Sequence, residues 1–347
     1  MKTSNPLGKL KKILIAVIIM LCISYLIISS RHIYGIELRK EGKINSSLEA
    51  DFNSSNRRPS DNPVLVYELI PNTRVQNEGS WVKFNRTLIE TVNSDGFRGR
   101  DYPVEKPKEV YRIIVLGDSF AFGYGVNDNE TFSYYLEQKL NSLNISGKRF
   151  EVLNLGVGGY NTFQEVESLN IKGLKYNPDL VIIAHHGSDM ENISEIEREI
   201  DEMYSNYTSG KQNVTNNTYA TLRAYFQNKA FQNVYEDMAK KTFDQVFENV
   251  RQPMEDIYNI SKNKNFSLMI TTFPNGYMYK EQAEKLAVFS TERGICYLDF
   301  SVAYADKDLY AQTVHPTMDA HPNPYAYAVF ADYIINKMKE CGFIATG

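Results

Sequence analysis

A serine, a histidine and an aspartate stand in this chain at positions where nucleophilic chemistry would need them. The stretch Ile113–Gly125 reads I-I-V-L-G-D-S-F-A-F-G-Y-G. Ile113 to Leu116 are apolar and mostly β-branched, the mark of a strand buried on both faces. Gly117-Asp118-Ser119 then breaks the strand. A serine at the carboxyl end of a parallel strand lies where open α/β sheets bind ligands, and the glycine before it permits a sharp turn. Gly, Asp and Ser are also ordinary turn residues, so the tripeptide alone does not separate a nucleophile from a β-turn. Near the C-terminus, Asp319-Ala320-His321-Pro322-Asn323-Pro324 reads as a loop leading into the last helix. A histidine two residues after an aspartate can serve as general base while the carboxylate fixes its tautomer. His315 competes for that role.

Two further blocks carry chemistry-bearing residues. Asn154-Leu155-Gly156-Val157-Gly158-Gly159-Tyr160-Asn161 is a glycine-rich strand-to-helix turn. A dinucleotide fingerprint wants a third glycine where Asn161 stands and favours the first strand, so nucleotide binding is a poor reading. A glycine N–H aimed at a developing oxyanion is a better one. His185-His186-Gly187-Ser188-Asp189 follows another strand-like run. Its histidines and Asp189 are potential metal ligands, but adjacent histidines rarely face one ion from a single strand end. Neither a metal nor an organic cofactor is expected.

The elements that must position these blocks are legible from Val110 onward. Strand-like runs fall at 113–116, 151–155, 180–184, 267–272 and 296–300, with helical patterns at about 130–143, 162–174, 235–262, 279–292 and 324–340. Such alternation predicts a parallel sheet covered on both faces. A charged, then Asn/Thr-rich interval at about 190–234 reads as an insertion above the strand ends, a usual place for lids. Before the sheet, residues 63–109 read as an irregular extension packed on the main domain, and 32–62 as a polar stalk.

The ordered set GDS, N-x-G-x-x-G, a G-x-N-D-like block and a terminal D-x-H-P-N resembles the GDSL or SGNH hydrolase family over residues 110–347. Asn93-Ser94-Asp95-Gly96-Phe97-Arg98-Gly99 is similar to a lead-in segment of microbial members. The resemblance implies an α/β, flavodoxin-like three-layer sandwich with a five-stranded parallel sheet ordered 2-1-3-4-5. It implies Ser119 as nucleophile, His321 as base and Asp319 as the residue that orients it. The Ser119 and Gly159 N–H groups would form the oxyanion hole, with Asp118, Asn154 and Asp189 in support. The third block departs from the family, since Ser188 stands where an asparagine would donate to the oxyanion. Losing one such donor costs about 10²–10³ in rate, and His185 and His186 are candidate substitutes.

The N-terminus suggests a membrane. Residues 13–30 carry no charge and as a helix would span roughly 27 Å, close to the hydrocarbon thickness. Residues 1–31 are thus expected to form a cytoplasmic tail and a single transmembrane anchor. The chain has eleven Asn-x-Ser/Thr sequons, which favours an extracytoplasmic, glycosylated body. Cys296 and Cys341 read equally as a disulfide or as two buried thiols. A net charge of −4 gives no reason to expect nucleic acid, and the oligomeric state is not legible. The expectation is a membrane-anchored serine esterase or O-acyltransferase acting on small acyl esters of surface glycans. The alternative is an inactive member of the fold that binds glycans or assists polysaccharide assembly.

Overall fold

The computed structural model describes residues 56–62, 64–65, 67–78, 87–190, 241–274, 279–315 and 319–345. The described chain opens with two antiparallel pairs, β1 (Arg57–Pro59) with β2 (Tyr67–Leu69) and β3 (Thr73–Glu78) with β4 (Thr87–Val92). Five parallel strands follow: β5 (Val110–Gly117), β6 (Arg149–Asn154), β7 (Leu180–His185), β8 (Ser267–Thr272) and β9 (Cys296–Asp299). Their spatial order is β6-β5-β7-β8-β9, which counted within the sheet is the flavodoxin-like 2-1-3-4-5.

Burial explains why β5 lies inside the sheet, between β6 and β7. Ile113, Ile114, Val115 and Leu116 are fully buried, as a strand covered on both faces requires. Ile113 and Val115 join the core built by helices α2 (Phe132–Ser142) and α7 (Pro324–Glu340), including Leu136, Leu140, Phe330 and Ile334. Ile114 points the other way, and a side chain on Gly173 would come within 3.3 Å of its Cδ1. That face carries α3 (Thr162–Ser168), which continues through a π turn at Leu169–Gly173 and a 3-10 turn at Leu174–Tyr176. The other helices are α1 (Ser119–Phe122), α4 (Phe243–Lys264), α5 (Tyr279–Arg293) and α6 (Ser301–Lys307). Cys296 and Cys341 form a disulfide that ties the start of β9 to the end of α7.

Several boundaries differ from the sequence reading. The stalk expected over 32–62 gives way to β1 by Arg57, because Arg57–Pro59 pair with Tyr67–Leu69. The helix expected from residue 235 starts at Phe243, where Thr242 accepts from the Gln245 N–H in a capping box. The loop expected around His321 is a hairpin of β10 (Thr313–His315) and β11 (Asp319–Pro322). Its strands are three and four residues long, too short to show an alternating pattern. The transmembrane helix expected over 13–30, and the insertion beyond residue 190, lie outside the described residues. Among the described residues no helix is long and apolar enough to cross a membrane.

The lead-in segment is a brace. Asn93 Oδ1 accepts from the Asp95 and Phe97 N–H groups, and its amide donates to the Arg100 carbonyl. This turn delivers Arg98 into the interior. Its Nε lies 2.8 Å from Asp128 Oδ1, its Nη2 donates to the Val126 carbonyl, and its guanidinium covers the Phe122 ring at 4.5 Å. Phe122 ends α1, so the extension supports the helix that carries Ser119. Arg98→Met strands Glu90 and Asp128 and is expected to destabilise by about 3 kcal/mol. Thermal unfolding should show a Tm drop on the order of 10 °C; a change under about 3 °C would refute the brace.

Candidate active site

Ser119 is placed by the turn that ends β5. Gly117 has φ +150°, and a Cβ there would lie 2.6 Å from the Ala121 Cβ and 2.9 Å from the Ala184 carbonyl oxygen. Only glycine lets the chain leave the sheet so closely. Asp118 then caps α1, its Oδ1 accepting from the Phe120 N–H at 2.8 Å. Ser119 therefore begins a helix at the carboxyl end of β5, between β6 and β7.

His321 arrives from the C-terminal hairpin. Its Nε2 lies 2.7 Å from Ser119 Oγ, within hydrogen-bond range for a nucleophile and its base. The ring packs against Phe120 and Tyr124, with centroids 5.0 and 4.9 Å away. The hairpin sits close on the loop after α1, since a Cβ at Gly125 would lie 2.8 Å from the Val314 methyls. Asn323 caps α7 through the Ala326 N–H and donates to Gln312 Oε1. The helix start and the hairpin thus hold His321 from both sides. The side chains of Asp319 and His315 lie outside the described residues; their backbones pair across the hairpin.

The glycine-rich turn lies against α1. Asn154 donates to the Ala121 carbonyl at 2.8 Å and accepts from the Gly156 N–H. A Cβ at Gly156 would stand 2.5 Å from the Phe122 nitrogen, and one at Gly158 3.4 Å from Ser119 Cβ. Gly159 has φ +79°. Among the described residues no backbone acceptor takes its N–H.

The third block divides in two. His185 is buried, its Nε2 2.6 Å from Gln282 Oε1 and its Nδ1 close to the Asp189 carboxyl, 3.0 Å from Oδ2. With Gln282, which also donates to the Gly187 carbonyl, it braces the 187–190 turn. His186 stacks on Phe120 at 4.1 Å with its Nδ1 3.4 Å from Asp118 Oδ2. Asp189 accepts from the His186 N–H. The Ser188 side chain lies outside the described residues. Among the described residues no group of three or more His, Cys, Asp and Glu side chains is arranged to hold a metal.

Sequence reasoning missed three participants. Glu165 on α3 is fully buried with neither carboxyl oxygen hydrogen-bonded. Burial first, then the charges of Asp189 and Asp118, raise its pKa well above the ordinary 4.5. Burial also raises Asp189, although His185 opposes the shift. Glu165 is thus held protonated while the unfolded chain ionises, so its contribution to stability declines as pH rises from about 4.5. Glu165→Gln is expected to gain Tm relative to the parent across pH 4.5–7.5, and a pH-independent difference would refute this. Nothing in the sequence marks Glu165, one polar residue among several on α3. Arg57 and Tyr67, which reach the site from β1 and β2, lie in a stretch that reads as stalk and irregular extension.

The model of the GDSL-like lipase/acylhydrolase family matches residues 115–329. The chain belongs to this family. It is an enzyme of the GDSL hydrolase type. No curated protein matches it significantly. Its fold is similar to that of a G-D-S-L family protein from Desulfitobacterium hafniense DCB-2, at 18% identity and TM-score 0.43 over 65% of this chain and 98% of that one. The esterase EstA from a Pseudoalteromonas species is similar at 15% identity and TM-score 0.42, over 66% and 97% of the two chains. A lipase/acylhydrolase from Enterococcus faecalis gives 16% and 0.42, over 68% and 98%. In this GDSL hydrolase, Arg57, Tyr67 and Arg98 all precede the matched residues.

Proposed function

We propose that the protein is a serine esterase or O-acyltransferase working through an acyl-enzyme. The observation that carries this reading is the 2.7 Å contact between Ser119 Oγ and His321 Nε2 at the end of β5. In the forward step His321 takes the Ser119 proton as Oγ attacks the ester carbonyl. The Gly159 and Ser119 N–H groups receive the developing oxyanion. His321 then returns the proton to the departing alkoxide. Water or a sugar hydroxyl, activated by the same ring, releases the acyl group. Asp319 is assigned the orientation of His321, and Ser188 a hydroxyl donor in place of the family's asparagine.

The proposed setting is outside the cytoplasm, on a membrane anchor formed by residues 13–30, with small acyl esters of surface glycans as substrates. Two observations support the setting. The sequon asparagines among the described residues, Asn129, Asn144, Asn259 and Asn265, are all exposed. The Cys296–Cys341 disulfide suits an oxidising compartment. Protease treatment of intact cells should digest the body but spare the tail before residue 13.

The test of the chemistry is mass spectrometry of the full chain after incubation with a fluorophosphonate. A single adduct on Ser119, absent from Ser119→Ala, is expected. A folded protein that stays unlabelled would point to the glycan-binding alternative.

A further inference from the structure

Arg57 brings a positive charge close to Ser119. It leads β1, and its guanidinium lies over the Tyr67 ring, 5.3 Å from the centroid. Tyr67 in turn donates its hydroxyl to the Gly158 carbonyl at 2.9 Å. The two residues are thereby fixed to the glycine turn beside Ser119. A Cβ placed on Gly158 would overlap Arg57 Nη2, and would stand 3.6 Å from Arg57 Cζ and 3.4 Å from Ser119 Cβ. Guanidinium and nucleophile therefore flank one and the same point above Gly158.

The neighbours of this cation are already committed. Arg58, the next residue, pairs with Glu68 at 2.7 Å. Glu90, which feels the Arg57 charge, is turned to Arg98 at 3.6 Å. Among the described residues Arg57 makes no ion pair and no hydrogen bond, and its side chain is exposed. A guanidinium presents a planar fork of donors that suits an oxyanion such as a carboxylate. A cation laid on an aromatic face that is itself tied to the glycine turn, with no counter-ion among the described residues, is preorganised for a ligand that brings the negative charge.

We infer that Arg57 forms an anion subsite, and that the preferred substrate is an ester carrying a carboxylate close to the scissile bond. This deepens the esterase reading and rests on it. An O-acylated acidic sugar places such a carboxylate on the alcohol side, and a dicarboxylic half-ester places it on the acyl side. In both cases the ester carbonyl sits at Ser119 while the carboxylate meets the guanidinium.

The experiment compares two substrate pairs on the full-length enzyme, acetylated glucuronic acid against acetylated glucose, and succinyl against acetyl esters of one chromogenic alcohol. The parent enzyme is expected to prefer the charged member of at least one pair. Arg57→Gln should lower that preference, the ratio of the two kcat/KM values, by about 10- to 100-fold, mainly through KM. Arg57→Lys should retain part of it, because it keeps the charge but loses the fork. Raising the salt should also shrink the parent's preference, since the guanidinium is exposed. Absence of preference in both pairs would overturn the subsite, as would an equal loss on charged and neutral esters in Arg57→Gln. Failure of the esterase reading looks different: no ester is cleaved and the fluorophosphonate leaves Ser119 unmodified, which removes both proposals.

Discussion

Ser119→Ala is expected to lower kcat for ester cleavage by roughly 10⁶-fold, the scale of removing the nucleophile from a serine–histidine machine. The stability cost should be small. The α1 cap is supplied by Asp118, and the Ser119 hydroxyl meets only the His321 ring among its described side-chain partners. Tm should therefore move by no more than about 1–2 °C. Full progress curves with a chromogenic acetate ester, beside calorimetry on the same sample, measure both. Activity within tenfold of the parent would assign the chemistry to another group, whatever the geometry at β5.

His321→Ala should cost nearly as much, and the double variant Ser119→Ala/His321→Ala should be no worse than either single one. In the proposed mechanism the two groups act as a unit. Once the proton acceptor 2.7 Å from Oγ is gone, the hydroxyl is an unactivated alcohol, and once the hydroxyl is gone the base has nothing to deprotonate. His315→Ala serves as the contrast. The hairpin pairs the His315 backbone with Asp319, so its loss should alter kcat by less than about tenfold. A large effect at His315 with a small one at His321 would reverse the assignment of the base.

Much of this site was legible because the sheet is a one-dimensional pattern made solid. Runs such as Ile113–Leu116 and Leu180–Ala184 are apolar throughout, and full burial on both faces is what such runs require. The GDS and D-x-H-P-N blocks sit directly at strand and helix ends, where Asp118 and Asn323 cap the helices that follow. What escaped is what depends on contacts distant in sequence. Arg57 and Tyr67 meet Gly158 across about a hundred residues. Only the fold reveals that a polar stretch becomes a wall of the site. Glu165 looks like any helix glutamate until its surroundings place Asp189 and Asp118 near it. His185 and His186 are adjacent in sequence but turn to opposite duties, one bracing Asp189 and Gln282, the other stacked on Phe120.

Ser119 and His321 are separated by 202 positions, and the hairpin that bears the histidine is held by the last helix. During synthesis the nucleophile is therefore made early and stays idle. The His321 ring stands beside it only where β10 and β11 are paired and Asn323 caps α7. The serine–histidine contact therefore waits for a hairpin made 202 residues after the nucleophile. A chain cut short before the hairpin carries Ser119 without the imidazole that stands beside it in the complete fold.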